Sequence, residues 1–83
     1  MGQGEKRLAR MRANPKDGWA IRDVSVVCEA YGVTLLPPKG GSHYKVSHVS
    51  QRDILTIPCD RPVKAVYIRR LVDFVDAVRD ADQ

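Results

Sequence analysis

Residues 32–58 read GVTLLPPKGGSHYKVSHVSQRDILTIP, and the fold turns on how this stretch divides. The run VTLL at 33–36 is β-prone and ends at two prolines, which cannot donate ladder hydrogen bonds, followed by two glycines that release the backbone. SHYKVSHV at 42–49 then alternates, which sets Tyr44 and Val46 on one face of a strand and His43, Lys45 and Ser47 on the other. DILTIP at 53–58 supplies a third strand, closed by Pro58. Three strands at these short separations predict an antiparallel meander.

On either side the period changes from two to that of a helix. Val24, Val27, Cys28 and Tyr31 fall at i, i+3, i+4 and i+7, and Gly32 stands where a left-handed residue ends a helix. CDRPVK at 59–64 is a connector. It leads into AVYIRRLVDFVDAVRD, where Tyr67, Leu71, Phe74, Val75 and Val78 make a wide apolar stripe. GEKRLARMRANP at 4–15 predicts a short helix or a basic arm, frayed because Leu8 and Met11 are its only apolar contact points, and Asp17-Gly18 signals a turn. The expected fold class is therefore α+β: helix, three-stranded antiparallel sheet, helix. Both helices cover one sheet face and the other face is open. Residues 1–18 are set apart as a basic N-terminal extension, and residues 19–83 form the domain.

An 83-residue chain is near the lower limit for a core that stands without disulfides or metal, so most of its apolar residues are committed to folding. A hydrophobic fraction of 43% with 29% charged residues belongs to a soluble chain rather than a disordered one. No apolar run reaches the roughly 20 residues of a membrane span, the basic N-terminus lacks a signal-peptide core, and Lys6 stands where myristoylation wants Ser or Thr, so a cytoplasmic location is expected. Cys28 and Cys59 have no framework spacing and are expected to be reduced thiols.

The net charge of +4 is uneven: residues 1–22 carry six basic and two acidic groups, 39–52 hold Lys39, Lys45 and Arg52 with a single histidine pair and no acid, and the acids gather near the end at Asp73, Asp76, Asp80 and Asp82. A basic face of this kind suits phosphates.

Two readings of His43 stand at this point. It is an exposed polar residue at a strand start, or it is a catalytic base beside Lys45 and the loop lysine Lys39. A metal site fits poorly, because His43 and His48 are five residues apart and point to opposite faces about 16 Å from each other along a regular strand. The same separation excludes a paired-histidine nuclease. Cys28 lies on an inward helical stripe, where a thiol acts as a small hydrophobe, and PPKGGS precedes a strand whereas phosphate-cradling glycine loops precede a helix. RNA transesterification asks for less: the 2′-hydroxyl already sits beside the scissile phosphate, so one imidazole and nearby cations suffice. No metal or other cofactor is expected.

With VVCEAYGVTLL, PPKGGSHYKV, DILTIP and VYIRRLVDFV in this order, the chain resembles the HicA toxins of bacterial and archaeal toxin-antitoxin systems over roughly residues 19–78. The resemblance implies a double-stranded-RNA-binding-domain-like fold and a messenger-RNA-cleaving endoribonuclease, or mRNA interferase. It also implies a HicB-type antitoxin that binds the toxin and blocks its site. The family's catalytic histidine falls on His43, with Gly41 and Ser42 as its motif neighbours. Lys39, Lys45, Arg52 and the N-terminal basic residues are expected to contact RNA phosphates without reading sequence. The toxin itself is expected to be monomeric outside the complex, with no membrane attachment. The alternatives are a non-catalytic RNA-binding module of the same fold, and a domain whose open face mainly docks a protein.

Overall fold

Hydrophobic periodicity and turn chemistry resolve into six elements in the computed structural model, which describes residues 2–82; Met1 and Gln83, at the ends of the two expected segments, lie outside the described residues. In chain order these are α1 (Gln3–Ala13), α2 (Ile21–Ala30), β1 (Thr34–Leu36), β2 (His43–Ser47), β3 (Leu55–Pro58) and α3 (Ala65–Ala81). The strands form an antiparallel sheet in the order β1-β2-β3. Leu35 lies across from Val46 and Leu36 from Lys45, while on the other side His43 lies across from Pro58, Tyr44 from Ile57 and Val46 from Leu55.

This register aligns the apolar positions on one sheet face. Val46 and Ile57 are fully buried among Val24, Val27 and Cys28 of α2 and Ile68, Leu71, Val75 and Val78 of α3, with Leu35, Tyr44 and Leu55 packed at the margin. Each fully buried aliphatic side chain contributes about 1.5–3 kcal/mol relative to exposure. The opposite face bears His43, Lys45, Thr56 and Leu36, all exposed.

Two strands are shorter than the alternation suggests. β2 stops at Ser47 because the next residue turns its ring back on the chain: Ser50 N–H donates to His48 Nδ1 at 3.1 Å, and the Ser50 hydroxyl is 2.7 Å from the same nitrogen. Val49 is consequently wholly exposed and adds nothing to the ladder. β3 begins at Leu55, leaving Ile54 57% exposed in the preceding connection.

The N-terminal segment does not stand off as a frayed arm. Its Leu8 and Met11 are buried in the same core as α2 and α3, so the boundary drawn at residue 18 does not separate two packing units. Gly4 is also buried, at a close approach to Ala30 of α2. Ion pairs tie the helix down on both sides: Arg7 Nε reaches Asp23 of α2 at 2.9 Å, and the Arg12 guanidinium makes two bonds of 2.8 and 2.7 Å to the Asp76 carboxylate of α3. The turn that follows is equally fixed. Trp19 donates its indole N–H to the Asn14 carbonyl at 2.9 Å, and Val63 N–H donates to the Trp19 carbonyl at 2.8 Å, which joins the approach to α2 with the approach to α3. The Arg61–Pro62 peptide in that second approach is cis. No helix among the described residues is long and apolar enough to cross a membrane.

Candidate functional site

The connection between β1 and β2 folds into a short arch because Gly40 takes φ +68°, a conformation that side-chain-bearing residues rarely adopt. The arch brings Lys39, Gly41 and Ser42 against the outward residues of the two strands it joins. Together with Leu36, His43 and Lys45 they line a concave surface of about 460 Å³ on the uncovered sheet face. Five of the six site residues expected from the sequence are thus gathered around one depression.

Within it, His43 is exposed, and its Nδ1 lies 3.3 Å from the Ser42 hydroxyl. In the tautomer whose Nδ1–H donates to that oxygen, Nε2 presents the free lone pair of the ring. Lys45 follows on the same strand face, about 7 Å along the chain, near enough to sit on the same phosphodiester. No ion pair among the described residues engages Lys39 or Lys45, so both ammonium groups are available to an incoming anion. Gly41 has open space where a side chain would project, and a ligand backbone can approach there.

Arg52 is the residue the structure does not bring in. It lies in the β2–β3 connection, at the far end of the hairpin from His43, beside Arg70 and Phe74 of α3. The basic N-terminus is likewise differently employed. Arg7, Arg10 and Arg12 pair with Asp23, Asp17 and Asp76, so three cations expected to meet phosphate each face a carboxylate of the chain, the Arg10 and Arg12 pairs at the surface. Hydrogen bonding and the charge of Arg12 hold the Asp76 carboxyl below its ordinary range. For Asp23 burial acts in the opposite direction, and the Ala20 N–H and Arg7 outweigh it to give a lowered value.

Neither cysteine enters the depression. Cys28 is buried in the core, and burial pushes its thiol up to about 11, whereas Cys59 is exposed just past β3. Among the described residues, no three of the His, Cys, Asp and Glu side chains come together in a way that could hold a metal ion.

A second recess escaped the sequence reading. On the other side of the start of β2, residues from the approach to α2 and from the β3–α3 connection enclose a groove of about 610 Å³, with Trp19, Arg22, Tyr44, Cys59 and Arg61 among its walls. Arg22 belongs to the basic excess of residues 1–22, but only the tertiary fold sets it at one groove with Arg61. No protein-family model, curated protein or solved structure matches the chain.

Proposed function

We propose that this protein is a toxin ribonuclease of the HicA type, cleaving messenger RNA by metal-independent transesterification with His43 as its proton-transfer group. The observation that carries the reading is the grouping of exposed His43 with Ser42, Lys39 and Lys45 around one depression on a sheet face that the core does not use. The element order, with helices on one side of a short antiparallel sheet, also suits a double-stranded-RNA-binding-domain-like fold.

In this scheme His43 Nε2 takes the proton of the ribose 2′-hydroxyl as that oxygen attacks phosphorus. The bond from phosphorus to the 5′-oxygen breaks, the leaving oxygen takes a proton from solvent water, and the products are a 2′,3′-cyclic phosphate and a 5′-hydroxyl end. Lys39 and Lys45 neutralise the charge that grows on the non-bridging oxygens. The Gly41 backbone leaves room for the strand. A HicB-like antitoxin would silence the chain by covering the same depression.

Incubation of the chain with single-stranded RNA, followed by end-group analysis, tests the scheme. The expected result is cyclic-phosphate and 5′-hydroxyl ends, unaffected by chelator, with a loss of about 10²–10⁴-fold in His43→Ala, the range of a general acid–base group. Intact RNA in the presence of the unaltered chain, with salt-sensitive binding retained, would favour the non-catalytic binding module instead.

A further inference from the structure

We infer that the groove beside the start of β2 receives the nucleotide adjoining the scissile phosphate, so that single-stranded RNA runs from the His43 depression over the end of the sheet and into it; this rests on the ribonuclease reading. The two recesses share no lining residue but flank the same end of the sheet. Pro58 lies directly across from His43 and lines the groove, and cross-strand neighbours are about 5 Å apart. Just beyond that pair the Cys59 N–H donates to the Ser42 carbonyl at 2.9 Å and closes the sheet end.

The groove's chemistry suits a nucleotide. Tyr44 and Pro62 offer flat apolar surface for a base, and the volume lies within the range of small-ligand sites. Arg22 and Arg61 make no ion pair among the described residues, so their charges remain for phosphate. The two carboxylates nearby are already engaged. Asp23 is held by Arg7 and by the Ala20 N–H at 3.0 Å, and Asp60 faces Lys64 at 3.8 Å. α2 also begins at this groove, which adds the positive end of its dipole. A base held in a duplex cannot turn into such a recess, which makes the fitting substrate single-stranded.

Cys59 provides a reporter at the groove, because it is exposed and Cys28 is buried. Alkylation of the full chain is followed by intact mass, with and without a non-cleavable single-stranded 2′-O-methyl RNA. At ten times the dissociation constant, the RNA is expected to slow Cys59 modification about tenfold. Arg22→Gln with Arg61→Gln is expected to lower the salt slope of binding by about 1.4, two single-strand phosphate contacts. If the RNA binds and Lys45→Ala weakens it, yet Cys59 reacts at full rate and the arginine variant keeps its salt slope, the groove assignment is wrong while the ribonuclease reading survives. If the unaltered chain binds no RNA at all, both are overturned.

Discussion

Replacing Gly4 with alanine separates two opposed expectations. In an exposed helix interior the change should stabilise by about 0.8–1 kcal/mol, since glycine has the poorer helix propensity. Gly4, however, is where α1 meets α2: an added Cβ would stand 2.1 Å from the Ala30 Cβ and 3.0 Å from the Val26 carbonyl oxygen. Neither neighbour is a flexible side-chain end. Reaching the 3.4 Å of ordinary contact requires α1 to move away by about 1.3 Å, enough to loosen dispersion contacts around Leu8 and Met11. Overpacking costs about 1–3 kcal/mol, and against a helix-borne methyl and a backbone carbonyl the upper part of that range, about 2–3 kcal/mol, applies and outweighs the propensity gain. The net loss is then about 1–2 kcal/mol, read in a domain of this size as a fall in Tm of about 4–16 °C. Thermal and urea unfolding of Gly4→Ala, Ala30→Gly and the double variant make a complete cycle. The double variant should regain most of what Gly4→Ala loses, because Ala30→Gly removes the atom that clashes. A Gly4→Ala chain as stable as the original, or more so, would refute the close packing of α1 on α2.

The two histidines should part in their behaviour: His43→Ala should leave stability within about 0.5 kcal/mol while lowering RNA cleavage about 10²–10⁴-fold. His48→Ala loses the Ser50 bonds that end β2 and should cost about 0.5–1.5 kcal/mol with cleavage retained, both checked by unfolding curves beside RNA assays. Asp76→Asn breaks the pair with Arg12 and, since both groups are partly exposed, should cost only about 0.2–1 kcal/mol at neutral pH. Because the folded Asp76 carboxyl is held below 3.8, its contribution is present above that pH and fades as pH falls through the lowered value, so acid titration should bring the two chains together. Cys28, raised from 9.0 to about 11, works in the other direction. Its thiol favours the fold fully below pH 9 and loses that contribution as pH climbs towards 11, a component that Cys28→Val should lack in alkaline unfolding.

The open face was legible from a five-residue alternation, because period two leaves no choice about which side His43 and Lys45 share once Val46 is buried. The helical stripes of α2 and α3 were equally plain, with Ile68 and Val72 joining the latter in the core. α1 was harder to read for a physical reason. Much of what fixes it is not apolar periodicity but a missing side chain at Gly4 and ion pairs to residues 16 and 64 positions away, which no local window contains. Arg52 was placed with the site through its charge alone, and its distance from His43 follows from the register of a hairpin whose turn lies at the opposite end. Ile54 and Val49 look like strand residues in composition, yet the His48–Ser50 turn takes Val49 out of the ladder and Ile54 stands one residue before its first pair at Leu55.

The outer strands offer little to a fourth. β1 has three residues before Pro37 and Pro38, and β3 has four, the last of them Pro58. Proline supplies no amide hydrogen, and short edges give an incoming strand few ladder bonds to gain. A sheet with one bare side and two long edges would be prone to joining others of its kind into ribbons. By trimming both edges, this chain can leave its unpacked side in water and still resist growing by strand addition.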